Sequence, residues 1–425
     1  MVVLGAGFAG LAAAQGLAGL GVDVLLLDRH NYHLFTPLLY QVASALLDPS
    51  QIAHPVRATV RRRRSLRVRV ATVRRVDLDH RLVETDRGPV AYDHLVVATG
   101  STTDDFGVAG VDAHAQPLKE LPDALALRNH LLSQVESAQW ETDATRRRTR
   151  LTVAVVGGGP TGIEYAGALA ELLRLVLARE FGHLDQREMR VLLLEAGDHL
   201  LGAFAPPLQR YAVDQLRRRG VEVRLGTRVT AVEGGRVRLH DGSEIEAGTV
   251  VWVAGVRVSP LPGLTGAGDA AGARGAVPVT ATLQLPGRPE VLVIGDGAAV
   301  VQDGRPLPMI APVAIQEGRH ATRVIAAQLR GEEPPAFRYT DKGIMATIGR
   351  HDAVVEVGRW RLRGFPAWVT WLLLHLMLII SFRNRLLVLI NWAVNYLFYD
   401  RPVRLIVRAG PDRDREAVEG PGPRG

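Results

Sequence analysis

The chain has 425 residues, 47% hydrophobic and 22% charged, which is enough for two or three domains with cores of their own and excludes a disordered chain. Its 51 basic and 44 acidic side chains leave a net charge of +7, almost all of it arginine because lysine occurs only at Lys119 and Lys342, and so weak an excess selects no class of partner. Cysteine is absent, which excludes electron relay through a redox disulfide and cysteine-ligated iron–sulfur clusters.

Val2-Val3-Leu4 reads as a buried parallel strand, followed by Gly5-Ala6-Gly7-Phe8-Ala9-Gly10. Gly5 permits a tight turn, Gly7 lets the backbone approach a pyrophosphate, and Gly10 lets a helix from Leu11 to Leu20 pack closely. The phosphate charge then meets the unpaired N–H groups and positive end of that helix. A second strand, Val22 to Leu27, ends in Asp28, about 20 residues past the glycines, where a carboxylate reaches ribose hydroxyls. Only four residues precede Gly5, short for a first strand of about five residues, so a start codon upstream of Met1 is one of two expectations. The run Arg61-Arg62-Arg63-Arg64 lacks interleaved aromatics and reads as a solvated helix end or loop, so no nucleic-acid partner is expected.

Strands follow near Leu66 to Val70 and His94 to Ala98, the latter ending in Ala98-Thr99-Gly100, small enough to cross close to a nucleotide. A second fingerprint, Gly157-Gly158-Gly159-Pro160-Thr161-Gly162, lies between the strand Val153 to Val156 and a helix from Ile163 to Leu177. Its acid is Glu195, after Val191 to Leu194, and Ala196 follows where an arginine would be needed for a 2′-phosphate, which predicts NADH over NADPH. Two complete copies, each with strand, helix and acid, specify two dinucleotide sites where one would be a glycine-rich turn. Val250 to Gly255 repeats the small-residue crossing at Ala254-Gly255. Val291 to Ile294 is a buried strand closing on Gly295-Asp296, read as a return to the first domain, with Asp296 either a ribityl ligand of FAD or a plain turn residue.

The resulting fold class is α/β, with two Rossmann-like dinucleotide-binding domains and a C-terminal helical region that associates with membranes. Residues 1–112 and 266–335 are assigned to the first domain, 113–265 to the second, 336–408 to the C-terminal region and 409–425 to a disordered tail. In the C-terminal region Phe365 to Phe382 and Leu386 to Tyr399 are apolar and Trp- and Tyr-bearing, with Arg359, Arg361, Arg363, Arg383 and Arg385 beside them. Their length and their interruption by His375, Asn391 and Asn395 favour helices lying in the bilayer interface over a spanning hairpin, and the alternatives are cover for the chain's own core or a homodimer contact. His375 in an apolar helix reads as locally packed.

The block from Asn31 to Ala43, together with Val153 to Glu164, Ala254-Gly255-Val256-Arg257, Asp341-Lys342-Gly343, Ala346 to Arg350, Phe382-Arg383-Asn384-Arg385 and Asn391-Trp392, resembles the type II NADH:quinone oxidoreductases. That resemblance runs from residue 1 to about 408 and covers single-subunit, non-proton-pumping respiratory NADH dehydrogenases. It implies resident FAD held by Gly5, Gly7, Phe8, Ala9, Gly10, Asp28, Arg29, Val73, Ala98, Thr99, Gly100, Gly295 and Asp296. It implies NADH bound by Gly157, Gly159, Pro160, Thr161, Gly162, Glu164, Glu195, Ala254 and Gly255, with no metal. The resemblance also implies a membrane quinone, menaquinone or ubiquinone, as second substrate, reaching the flavin by a separate membrane-facing tunnel while the nicotinamide stacks on one face of the isoalloxazine.

Two catalytic residues follow from the resemblance. Glu164 matches a family glutamate near nicotinamide and flavin, and its alternative is a first-turn acid complementing the helix dipole. Gln316 matches a family glutamine near flavin and quinone, and its alternative is the polar face of the amphipathic helix that Ala311-Pro312 opens. Pro312 replaces a second glutamine of some members, so a two-glutamine clamp does not carry over. No signal peptide is expected ahead of Val2, and a cytoplasmic supply of NADH gives the expectation of an enzyme held peripherally on the cytoplasmic face of the plasma membrane. The other activity consistent with the residues is NADH-dependent reduction of a soluble redox protein.

Overall fold

Val2–Leu4 pairs in parallel with Val24–Asp28 on one side and Leu95–Val97 on the other, which buries all three of its residues. Unbroken aliphatic runs suit such central parallel positions, where both faces are covered. The computed structural model describes residues 1–177, 180–181, 185–264, 275–398 and 403–407. The expected tail at 409–425 and the proposed interfacial Tyr399 lie outside the described residues.

The first sheet has six strands in the order Gln284–Leu285, Arg288–Val293, Leu95–Val97, Val2–Leu4, Val24–Asp28, Leu66–Val70. Arg288–Val293 pairs in parallel with Leu95–Val97, so the chain does return to its first sheet after visiting the second. The second sheet has five parallel strands in the order Gln116–Pro117, Thr249–Trp252, Thr152–Val156, Arg190–Leu194, Val221–Arg224. In both sheets the strand that opens the fingerprint sits inside the sheet beside the strand that delivers the acid. A three-stranded antiparallel sheet accompanies each one, starting at Val73–Asp77 and at Val229–Glu233.

The first fingerprint helix is Phe8–Ala18, with Gly7 as its N-cap, so it starts three residues before Leu11. Helix Ala311–Arg330 crosses it closely: a Cβ on Gly318 would lie 2.3 Å from the Ala9 carbonyl oxygen. The second fingerprint helix, Pro160–Glu171, continues as a π-helical stretch over Leu172–Leu177.

The C-terminal region opens with an antiparallel sheet of Ile344–Gly349, Asp352–Val357 and Trp360–Arg363. Its first strand lies against the Pro160–Glu171 helix so tightly that a Cβ on Gly167 would meet the Ile348 carbonyl oxygen at 2.0 Å. Helices Phe365–Leu378 and Phe382–Phe398 follow. Trp371, Ile379 and Val388 join the core that contains Ile163, Tyr165 and Phe35, which fastens these helices to the second domain and to the Asn31–Ala43 block. Among the described residues no helix is long and apolar enough to cross a membrane.

Candidate active site

The two fingerprints are built alike down to their hydrogen bonds. In the first, the Ala6 N–H donates to one Asp28 carboxylate oxygen at 2.6 Å and the His30 N–H to the other at 2.7 Å. In the second, the Gly158 and Gly197 N–H groups each donate to Glu195 at 2.6 Å. The acid thus pins the second residue of its own glycine loop and still has lone pairs to offer a ribose.

Steric demand divides the glycines into two kinds. Gly5 has φ +94°, and a Cβ there would lie 2.2 Å from the Ala98 carbonyl oxygen, while one on Gly10 would lie 1.9 Å from that of Gly5. Gly157 (φ +120°) and Gly162 repeat this pattern, Gly157 against Ala254 and Gly162 against Gly157. Gly7 and Gly159, by contrast, would meet nothing within 4 Å. The space above each helix N-terminus is therefore open where a pyrophosphate needs it, so the residues fit two dinucleotides.

Of the remaining residues expected at FAD, Gly295 lies against the first loop. Gly295 (φ +71°) approaches Ala9, where an added Cβ would lie 3.2 Å from the Ala9 Cβ. Asp296 accepts from the Ser101 hydroxyl, one residue past Gly100. Phe8 packs edge-on against His33 and Phe35, and Arg29 pairs with Glu120. Val73 lies two residues beyond Ala71, whose N–H donates to the Asp28 carbonyl at 2.9 Å, and it stays partly exposed. In the second site Pro160 and Thr161 are exposed at the helix start, and Ala254-Gly255 passes beside Gly157.

Glu164 points inward, with 8% of its surface exposed. Its carboxylate accepts from the Thr347 N–H at 3.2 Å, and burial pushes its pKa up to about 8. An acid held neutral in this way contributes little to a helix dipole. Trp371, from the Phe365–Leu378 helix, favours the ionised form, although its buried indole N–H closes no hydrogen bond. The Trp371 ring stacks on His375 at 4.1 Å, and the His375 Nδ1–H donates to the Trp371 carbonyl at 2.8 Å. Burial drives the His375 pKa down to about 4, so the ring is neutral. It is locally packed, as its place in an apolar helix predicts.

Gln316 is half-buried, and both ends of its amide are engaged by one residue. Its Nε2 donates to the Thr340 carbonyl at 2.9 Å, and its Oε1 accepts from the Thr340 N–H at 3.0 Å. Glu164 and Gln316 are thus tied to the same stretch of chain, at Thr347 and Thr340.

Three features escaped the sequence reading. Lys119 is largely buried, donates to the Ser101 hydroxyl at 2.8 Å and lies 3.9 Å from Asp296, with burial lowering its pKa. Its being one of two lysines in an arginine-rich chain was the available signal. Glu317, 1% exposed, accepts from the Gly295 N–H, and burial raises its pKa to about 8. It neighbours Gln316, but successive helix residues face different directions. Trp371 over Glu164 is a contact across 207 residues, which no local pattern encodes.

Residues 1–318 match the family described as pyridine nucleotide-disulphide oxidoreductase, and residues 342–399 match the NDH2 C-terminal domain. The chain is 39% identical over 412 residues to the type II NADH:quinone oxidoreductase NdhA of Mycobacterium tuberculosis, covering 93% of this chain and 87% of that protein. It is 32% identical over 363 residues to the type II NADH:quinone oxidoreductase of Staphylococcus haemolyticus, covering 83% and 88%. Among solved structures, NDH2 from Plasmodium falciparum in complex with NADH superimposes with a TM-score of 0.88 at 18% identity, over 96% of this chain and 99% of that one. The sulfide:quinone oxidoreductase of Aquifex aeolicus gives 0.71 at 18% identity, over 94% and 95%. Both likenesses concern the fold.

Proposed function

The chain belongs to the type II NADH:quinone oxidoreductases, and on that premise we propose how its residues divide the work. It oxidises NADH and reduces a quinone by two electrons without pumping protons. FAD, when bound, supplies the redox centre that takes a hydride equivalent from NADH and gives an electron pair to quinone. The observation that carries the assignment of sites is the paired fingerprint, each loop pinned by its own acid and open at Gly7 or Gly159.

Gly5 to Gly10, Asp28 and the Ser101–Asp296 pair hold FAD, and Gly157 to Gly162 with Glu195 hold NADH. Arg29, Val73, Ala98 to Gly100 and Gly295 complete the first site, and Ala254-Gly255 the second. Glu164, neutral below about pH 8, keeps a proton in a dry place beside the second loop, where it can be passed to reduced quinone. Trp371, His375 and Phe35 exclude water from that place. Gln316 fixes Thr340 ahead of the Ile344–Gly349 strand through both ends of its amide, and through that segment it acts on the quinone side of the site.

The family is membrane-associated, and we read the attachment as peripheral, on the cytoplasmic face of the plasma membrane. Leu373, Leu374, Met377, Leu378, Phe382 and Leu386 support this reading, since they are all exposed on the C-terminal helices.

One steady-state assay tests the function: NADH against NADPH, with menaquinone and ubiquinone analogues in detergent, and identification of the flavin released on denaturation. The expected result is FAD, quinone turnover and a preference for NADH of at least about tenfold. Turnover with a soluble protein acceptor and none with any quinone analogue would replace this reading by the soluble-reductase one. For Glu164, the Glu164→Gln variant should lose about 10- to 100-fold in quinone reduction while flavin reduction by NADH, followed in a single turnover, changes by less than about threefold. Unchanged quinone turnover would remove Glu164 from proton transfer.

A further inference from the structure

The function above leaves the arginine run at residues 61–64 unused, and the fold gives it a neighbour the sequence does not suggest. His54, Ala58, Thr59, Arg61 and Arg62 from the first domain form one wall of a cleft of about 450 Å³. Its other wall is Ile380 and Ser381, the turn between the two C-terminal helices. Arg61 and Arg62 are exposed and make no ion pair with any carboxylate among the described residues.

Charge along both walls is one-sided. Between Asp48 and Asp77 the sequence has nine arginines and no acidic residue, and between Glu356 and Asp400 five arginines and no acidic residue. The turn also has apolar flanks: Met377 is 66% exposed, Leu378 50% and Phe382 79%. A basic cleft opening beside protruding apolar side chains suits a ligand that is anionic at one end and aliphatic at the other. A free metabolite phosphate would use the arginines and leave the apolar rim in water.

We propose that this cleft seats the phosphate of an anionic phospholipid headgroup between Arg61, Arg62 and the Ile380-Ser381 turn, while the flanking apolar side chains enter the same leaflet. The proposal rests on the peripheral-membrane reading given above. It adds a specific lipid contact from the flavin domain, so that the first domain and the helical hairpin both face the membrane.

The test is co-flotation of the FAD-loaded full chain with vesicles of phosphatidylcholine alone or mixed with phosphatidylglycerol. It compares wild type with Arg61→Gln/Arg62→Gln and with Arg146→Gln/Arg148→Gln, which removes the same charge from exposed positions on the helix Ala144–Arg150. Wild type should prefer the anionic vesicles, the Arg61/Arg62 variant should lose about 10- to 30-fold in that partitioning, and the Arg146/Arg148 variant should stay within about threefold. Reduction of a soluble acceptor by NADH should be unchanged in both variants, which shows that they are folded.

Equal losses from the two variants would make the attraction diffuse and overturn the site, leaving membrane attachment intact. Failure of wild type to float with any vesicle would overturn the membrane reading and the site together. If inorganic phosphate at millimolar level raises the melting temperature of wild type and not of the Arg61/Arg62 variant, while anionic vesicles bind no better than neutral ones, the cleft is a free-phosphate site and the lipid proposal fails.

Discussion

At the scale of single residues, the site is defined by ionisable groups that the fold holds neutral. The Glu164 and Glu317 carboxyls both titrate near 8 in the folded chain, against 4.5 for an ordinary glutamate. Between those values the folded chain keeps two protons that the unfolded chain has lost, so their contribution to stability is complete below pH 4.5 and declines as pH rises towards 8. His375 works in the opposite sense: its folded value of about 4 lies below the ordinary 6.5, and stability is lost as pH falls between them. Glu164→Gln and Glu317→Gln should therefore unfold at higher urea than wild type at about pH 9, by up to about 5 kcal/mol each, and lie within about 1 kcal/mol of it at about pH 5. Variants that lose stability at both pH values would show that the carboxyls are ionised in the fold. Gln316→Ala, which frees both backbone groups of Thr340, should cost about 1–2 kcal/mol in the same experiment. It should slow reduction of a quinone analogue more than that of a soluble artificial acceptor.

At the scale of elements, the glycine loops separate folding from binding. A Cβ on Gly10 collides with the Gly5 carbonyl, whereas one on Gly7 enters empty space above the helix N-terminus. Gly10→Ala should accordingly yield little folded protein. Gly7→Val should yield a soluble, folded chain with less than about a tenth of the normal FAD content, because only the pyrophosphate approach is filled. In the second loop, Gly159→Val should retain FAD and raise the KM for NADH at least about tenfold. A Gly159→Val chain that lost its flavin would reverse the assignment of the two sites. These elements were legible in the sequence because each is local: strand, turn and helix start lie within a dozen residues, and the acid follows at a spacing set by one helix and one strand. Lys119 at Asp296 and Glu317 at the Gly295 N–H were not legible, since those pairs are formed by chain crossings that depend on the register between Leu95–Val97 and Arg288–Val293.

For the whole molecule, the C-terminal helices serve two masters, and only one was readable. Their apolar residues and arginine flanks announce a membrane surface, but Trp371, His375 and Asn384 turn inward, where Asn384 donates to the Ser50 and Gln51 carbonyls at 3.1 and 3.2 Å. Trp392 likewise donates to the Gln41 amide oxygen at 2.8 Å. Removing everything after Arg350 would uncover Glu164 and the core around Ile163 as well as any lipid contact, so loss of membrane binding in such a truncation would carry no information about the bilayer. Replacing outward residues alone separates the two roles. Leu373→Ser, Met377→Ser and Phe382→Ser together remove apolar groups that are 58%, 66% and 79% exposed and touch the core least. Each should cost about 1 kcal/mol or more of partitioning when its side chain is buried in lipid, so the triple variant should bind vesicles about 100-fold more weakly. Its melting temperature and its NADH-driven reduction of a soluble acceptor should stay at wild-type values, and a matching fall in melting temperature would assign this face to the protein's own packing or to a second copy of the chain.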